Sequence, residues 1–216
     1  FNFNESSFNI RDAISGNLNN GILKIKEYLD DNGDKRFNIT GYYTSNETNN
    51  SAFPNLGLAR ANSVKNHMVS QGISSRLINT FGALKEDLVS DENGVLFGPL
   101  GFAIFTRTEE SAANDEALKT ACEAIKENPL MFFFKTGESH INLTAEQREK
   151  FAKMSRCVDK FGLQIQVVGH TDNTGNADAN MQLGQKRANS AKDDLINFGI
   201  LQENITTSSK GQTEPI

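Results

Sequence analysis

Tryptophan is absent from this chain, and cysteine, proline and histidine are scarce. The 216 residues include only two cysteines, four prolines and three histidines. Two cysteines are too few for the disulfide framework that stabilises many small secreted domains. A single bridge between Cys122 and Cys157 is compatible with an oxidising compartment, and two small buried thiols are the alternative.

The sequence also lacks long apolar runs and clusters of positively charged residues. No stretch approaches the roughly 20 apolar residues that a membrane-spanning helix needs. The net charge is −5 and no basic stripe is visible, so nucleic acid is not expected as a partner. With 37% hydrophobic and 23% charged residues, the chain has the composition of a globular protein.

An internal repeat organises the sequence. Residues 56–63 (LGLARANS) match residues 183–190 (LGQKRANS) at six of eight positions. Upstream, residues 37–41 correspond to residues 165–169, and the loop before the arginine is one residue longer in the first copy. A match at this fixed spacing indicates a duplicated domain.

Each copy has the pattern of a β-α-β-α-β unit, which predicts an α/β fold. In the second copy, the apolar run Leu130 to Lys135 predicts a buried strand, and Thr144 with Gln147 has the form of a capping box. Gly162 is the predicted helix stop. A strand around Ile165, a helix from about residue 176 to 198 and a strand around Ile205 follow.

The first copy has the same order, with one addition. Its first helix carries Ile14, Leu18, Ile22, Ile25 and Leu29 on one face, and its second runs from about residue 54 to 70. A fourth strand is predicted over residues 101–108. We therefore expect domains at 1–108 and 129–216, joined by a charged helical connector at 109–128. The second domain has no counterpart of the fourth strand up to Ile216, so either that strand lies beyond this residue or the sheet has an open edge.

The segment from Gly169 to Gly175 (GHTDNTG) stands where a strand ends and a helix is about to begin, a common place for ligands in α/β folds. The strand, the turn and the following helix can bring Asp172 and Arg187 to one edge of the sheet, with Asn180 between them. Asp172 can accept from an ammonium group and Arg187 can grip a carboxylate, so a zwitterionic ligand is suited to the pair. Free N–H groups at the helix start would add anion-binding capacity. The alternative is a plain ion pair between the two side chains.

These residues, together with Leu183 and Arg187-Ala188-Asn189-Ser190, resemble the OmpA C-terminal-like family, which includes peptidoglycan-associated lipoproteins and flagellar stator anchors. The resemblance implies two tandem OmpA-like α+β sandwiches, each a small mixed sheet covered by helices, the first being degenerate. It implies peptidoglycan as the partner, bound through the diaminopimelate of its stem peptide. The ligand-binding residues would be Asp172 and Arg187, supported by Asn180 and Thr171. It also implies a periplasmic location at the outer membrane.

Three departures from the family pattern bear on this site. Phe134 is followed by Lys135, Thr136 and Gly137 instead of an acidic residue, and Gly184 replaces the family's serine. The arginine pair that precedes the last strand in many members would lie beyond Ile216.

The first copy is predicted not to bind diaminopimelate. Arg60 stands at the position of Arg187, but uncharged residues Thr44 to Asn46 replace Asp172, and Phe53 replaces Asn180. Glu47 is expected to face solvent beyond the turn. Arg60 is expected on the helix surface, where it caps carbonyls or pairs with an acid such as Glu47.

Other classes of function find less support in the sequence. His170 and Asp172 form an H-x-D pair, but no third metal ligand stands at suitable spacing, so neither a metal nor a cofactor is predicted. No nucleophile elbow, P-loop or dinucleotide-binding motif is present, and the chain is predicted not to be an enzyme. The alternative function is a protein–protein docking or structural module of a cell-envelope complex, in which both copies hold a partner protein and neither binds the wall.

Overall fold

A computed structural model of the chain describes residues 1–133 and 143–214. The strands are β1 (Asn2–Asn4), β2 (Lys35–Tyr43), β3 (Ile78–Leu84), β4 (Val95–Phe97), β5 (Leu100–Thr106), β6 (Ile165–His170) and β7 (Ile205–Gly211). The helices are α1 (Gly16–Asp31), α2 (Leu56–Ser70), α3 (Glu109–Glu127), α4 (Ala145–Phe161) and α5 (Ala177–Asn197). Within the described ranges, no helix has both the length and the apolar character to cross a bilayer.

The first copy is built on a mixed sheet with the strand order β3-β2-β5. β2 runs parallel to β3 and antiparallel to β5, so the predicted fourth strand is present. Alternate residues of β2, among them Phe37 and Ile39, are buried against α1 and α2, as the period of two requires. On α1, Ile22 and Leu29 are buried in the same core, which agrees with the predicted helix face.

β1 does not join this sheet, in contrast to the simple β-α-β-α-β order. It pairs antiparallel with β4 in a separate two-stranded ribbon. Phe3, in the middle of β1, is fully buried in the core of the first copy. The short strand therefore contributes a core side chain although its backbone pairs elsewhere.

The second copy consists of α4, β6, α5 and β7, and β6 pairs parallel with β7. The predicted capping box is confirmed, because Thr144 accepts from the N–H of Gln147 while the Gln147 side chain accepts from the N–H of Thr144. Gly162 ends α4 in the left-handed conformation with φ of 63°, which glycine adopts without a steric cost.

The strand predicted at Leu130 to Lys135 is wrong over its described part, residues 130–133, and the remainder lies outside the described residues. Two backbone carbonyls in or just before this segment, which would accept hydrogen bonds from a neighbouring strand in a sheet, accept them from side chains of α4 instead. Gln147 donates to the carbonyl of Met131 and Lys150 donates to that of Pro129. Phe133 is 79% exposed, so the apolar run is not a buried strand here. Apolar content alone does not distinguish a strand from an apolar loop.

The two copies share a hydrophobic core. Phe53 of the first copy packs edge-on against Phe151 of α4, with ring centroids 5.3 Å apart. The other buried members of this cluster are Ala52, Ala59, Ala152, Leu195, Ile200 and Ile205. Because this cluster contains buried side chains from both copies, the copies pack against each other through it.

Polar contacts also cross between the copies. The buried ammonium of Lys65 on α2 lies 2.6 Å from the carboxylate of Asp159 on α4. Burial lowers the pKa of Lys65, and the attraction of Asp159 opposes that effect. The side-chain amides of Asn62 and Asn66 both donate to the carbonyl of Gly199.

A disulfide between Cys122 and Cys157 joins α3 to α4. This is the bridged alternative of the two that the sequence left open. The helix over the predicted connector is thereby tied covalently to the second copy. Leu118, together with the partly buried Ile125 and Leu163, surrounds the bridge with apolar contacts.

Candidate functional site

The close approach of a strand and a helix positions the candidate site. A Cβ placed on Gly169, near the end of β6, would clash with the carbonyl of Gly184 on α5. The first copy has the same arrangement, where a Cβ on Gly41 would clash with the carbonyl of Gly57. The glycine at position 184, a departure from the family's serine, therefore belongs to a contact that both copies make.

Arg187 lies one helical turn after Gly184 and reaches back to the strand end. Its Nη1 donates to the carbonyl of His170 at 3.1 Å. Its side chain is half-buried, and within the described residues its other N–H groups have no bonding partner. The guanidinium is thus anchored at one nitrogen and has donors left for a ligand.

Asp172 is exposed at the start of the turn that follows β6. One carboxylate oxygen accepts from the N–H of Thr174 at 3.1 Å, which fixes the side chain against the turn. Among the described ion pairs there is none between Asp172 and Arg187. The plain ion pair that the residue types allowed is therefore not formed.

Asn180 is buried and connects the turn to the end of the chain. Its amide donates to the carbonyl of Thr174 at 3.0 Å and to the side chain of Gln212 at 2.6 Å. A longer contact of 3.5 Å reaches the carbonyl of Asp172. Asn180 thus holds the loop that carries Asp172. Gln212, which was not predicted from the sequence, accepts a hydrogen bond from Asn180 and so helps to fix its side chain.

Thr171 is also buried, and its hydroxyl donates to the carbonyl of Asp172 at 2.9 Å. Its backbone N–H donates to the carbonyl of Gly211 at the end of β7. This residue links the two strand ends beneath the turn.

The expectation of free N–H groups at the start of α5 is corrected. The side chain of Asn176 caps the helix by accepting from the N–H groups of Asp178 and Ala179. Asp178 also places a negative charge in the first turn. The side chain of Asn176 therefore already occupies two of the N–H groups at this helix start.

Asp172 and Arg187 contribute to the lining of one cavity of about 820 Å³ beside β6, together with His170 and Thr171. Asn180 is not part of that lining. The sequence-predicted residues therefore divide into two groups: Asp172, Thr171 and Arg187 reach the cavity, and Asn180 supports the turn behind it.

The equivalent arginine of the first copy makes the same bond to its strand. Nη1 of Arg60 donates to the carbonyl of Tyr42 at 2.8 Å, and Tyr42 aligns with His170. Arg60 is fully buried, however, and its Nε donates to the carbonyl of Ser7 at 3.0 Å. The expected place of Arg60 on the helix surface is wrong, because the N-terminal segment covers it.

The expected pairing of Arg60 with Glu47 is confirmed, but the expectation that Glu47 faces solvent is wrong. Both of its carboxylate oxygens accept from Arg60, and its side chain is 6% exposed. Burial acts to raise the pKa of Glu47, but the bonds from Arg60 and from the N–H groups of Thr44 and Ser6 hold it below its ordinary value.

The H-x-D pair does not form part of a metal cluster in the described ranges, where no group of three or more potential ligands from His, Cys, Asp and Glu comes together. The ring of His170 bonds through Nδ1 to the carbonyl of Glu214 at 2.6 Å.

Comparison with protein families gives this geometry a context. Residues 2–94 and 133–216 both match the model of the OmpA family. This chain belongs to the OmpA family. The two matched segments confirm the duplicated organisation of this OmpA-family chain, and because the family is non-enzymatic, they confirm that it is not an enzyme.

Three relatives resemble parts of the chain. A peptidoglycan-associated lipoprotein of Buchnera aphidicola is 45% identical over 53 residues, which cover 24% of this chain and 31% of the relative. One from Mesorhizobium japonicum is 31% identical over 85 residues, covering 39% and 49%. The probable lipoprotein YiaD of Escherichia coli is 42% identical over 52 residues, covering 24% of each. The matches span less than half the length of each relative.

Solved structures of the periplasmic domain of Helicobacter pylori MotB are also similar to this OmpA-family chain. One is 12% identical with a TM-score of 0.33, covering 54% of this chain and 82% of that domain. A second, also 12% identical, has a TM-score of 0.32 and covers 56% and 91%.

Proposed function

We propose that this chain binds peptidoglycan non-covalently, and that the second copy does so by holding the diaminopimelate of a stem peptide. The observation that carries the proposal is the state of the two charged side chains. Asp172 and Arg187 line one cavity, do not pair with each other, and keep bonding capacity for a ligand. The peptidoglycan-associated lipoproteins among the relatives support the same partner.

The chemistry of diaminopimelate matches this arrangement. The far end of its side chain is an amino acid, with an ammonium and a carboxylate on one carbon. Asp172 would accept from the ammonium, and the remaining N–H groups of Arg187 would donate to the carboxylate as a planar fork. Thr171 and Asn180 would keep the turn in place rather than select the ligand.

The location proposed for the chain follows from its partner. A peptidoglycan-binding domain must reach the cell wall, and the relatives named as lipoproteins are consistent with a periplasmic place at the outer membrane. We propose that the second copy anchors its parent protein to the wall. In this arrangement the first copy is a packed support for the second.

Co-sedimentation with purified sacculi tests this function. The parent chain should pellet with sacculi, and free diaminopimelate should release it. Asp172→Ala and Arg187→Ala should each lose binding, because one charge of the ligand is left without a partner at a cost of roughly 2–5 kcal/mol. Arg187→Lys should lose most of it, since a point charge does not reproduce the fork.

Two neighbouring substitutions serve as matched controls. Asp178→Ala and Lys186→Ala each remove a charge from an exposed position on α5 outside the cavity lining. Both variants should pellet like the parent. If the Asp172 and Arg187 variants also pelleted like the parent, the assignment of the site would be wrong. Pelleting that diaminopimelate does not release would refute the proposed ligand.

A further inference from the structure

A second groove, of about 520 Å³, lies between the sheet of the first copy and helices α3 and α4. Its charged lining consists of five cations, Arg36, Arg107, Lys153, Arg156 and Lys160, against one carboxylate, Asp115. This is a local excess of positive charge in a chain whose net charge is −5. It shares no residue with the cavity at Asp172 and Arg187.

The single carboxylate forms an ion pair with only one of these cations. Arg107 lies 3.1 Å from Asp115. Arg36 donates to the carbonyls of Gly33 and Lys35, and Lys160 donates to the carbonyl of Arg76, so these two cations bond to neutral groups.

Two further cations lie on the exposed side of the groove. Lys153 and Arg156 are on α4, and neither forms an ion pair with any of the residues that the structure describes. Their positions three residues apart put both on one face of the helix.

The cations in the groove disfavour one another. Burial lowers the pKa of Lys160, and Arg36, Arg156 and Arg107 lower it further, although Asp115 opposes them. Burial and the nearby Arg107 likewise lower the pKa of Arg36. An anionic ligand in the groove would reduce this repulsion between the cations.

We infer that this groove binds a ligand that carries clustered phosphate groups. Several negative charges must fit into a small volume to match four cations that form no ion pair within the described residues, and phosphate concentrates more charge per group than carboxylate does. Three of the five lining cations are arginines, whose planar fork matches phosphate oxygens. Asn79 donates to the side chain of Asn38 at 2.9 Å, and the remaining side-chain N–H groups of these two lining residues add donors on the sheet side.

Isothermal titration with pyrophosphate at low ionic strength tests this inference on the full chain, since the absence of tryptophan removes the usual fluorescence probe. We expect saturable binding that weakens as salt is added. The double variant Lys153→Gln/Arg156→Gln should weaken it at least tenfold. Because both residues are exposed and make no ion pair in the described ranges, this variant should keep the parent's circular dichroism.

The matched control is Lys24→Gln/Lys186→Gln, which removes the same charge from exposed positions that lie outside the groove and form no ion pair within the described residues. It should bind within twofold of the parent. No saturable binding by the parent, or equal weakening in both double variants, would overturn the inference. Vesicles containing phosphatidic acid separate the sources of phosphate. Vesicle binding that pyrophosphate displaces would support a lipid headgroup, and pyrophosphate binding without vesicle binding would support a soluble ligand.

Discussion

At the scale of single residues, Arg60 and Arg187 are arginines at equivalent positions of the two copies, and they have different surroundings. Each donates from Nη1 to the carbonyl at the end of its strand, at 2.8 Å and 3.1 Å. Arg60 is then enclosed by Glu47 and by backbone carbonyls, whereas Arg187 remains half-buried and open. The counter-charge that a ligand would bring to the second copy is built into the first.

The two arginines should therefore differ in their effect on stability. Arg60→Ala leaves the buried carboxylate of Glu47 without its partner and should lower the free energy of unfolding by about 3–5 kcal/mol. Arg187→Ala removes one bond from a half-buried side chain and should cost about 0.5–1.5 kcal/mol. Urea unfolding of both variants measures this. Equal losses would contradict the account of Arg60 as an internal structural pair.

The pH dependence of stability should reveal Glu47. Because its pKa in the folded chain is held below the ordinary 4.5, its stabilising contribution is full above that value and is lost as the pH falls through the folded pKa. In Glu47→Gln that contribution is absent at every pH. The stability difference between parent and variant should shrink as pH falls below 4.5. Unfolding free energies measured from about pH 6 downward test this, and a constant difference would refute it.

At the scale of elements, a pair of glycines sets the distance between strand and helix in each copy. Gly169→Ala would force the added methyl group into the carbonyl of Gly184, so β6 and α5 must separate. We expect a loss of about 1–3 kcal/mol, together with weaker sacculus binding because Arg187 moves from the strand end. Gly21→Ala, on α1 with open space around its Cβ, is the control and should be neutral or stabilising. A neutral Gly169→Ala variant would argue against this packing.

Several elements followed from local sequence because local chemistry determines them. Thr144 with Gln147 began α4, Gly162 ended it, and the alternation around Ile165 formed β6. The strand predicted over residues 130–133 is not formed. An apolar run does not determine which backbone groups a segment will pair with, so this outcome could not be predicted from local sequence. Likewise, the sequence placed Asp172 and Arg187 at one cavity and offered Glu47 as a partner of Arg60. It could not show that the Arg60–Glu47 pair is buried, since burial depends on the path of the segments that cover it.

At the scale of the whole molecule, the two copies are joined by more than a connector. The Phe53–Phe151 contact and the buried Lys65–Asp159 pair cross from one copy to the other. Phe53 stands at the position that Asn180 holds in the second copy. A position that supports the turn after β6 in one copy therefore belongs to the shared core in the other. The first copy therefore has a structural role that does not require a ligand. The domain boundaries at 1–108 and 129–216 stay predictions.

The shared core predicts coupled unfolding. Phe53→Ala should lower stability by about 3–5 kcal/mol, and both copies should feel the loss because the cavity lies between them. Hydrogen exchange of the amides in β2 and β6 should speed up together. Faster exchange in β2 alone would show that the copies unfold independently and that their contact contributes little.

The central claim is that the molecule has one working ligand site and one that is closed from within. Calorimetric titration of the full chain with diaminopimelate tests it most directly. We predict a stoichiometry of one ligand per chain, abolished by Arg187→Ala and unchanged in the control Lys186→Ala. A stoichiometry of two, or saturable binding that survives in Arg187→Ala, would contradict the account.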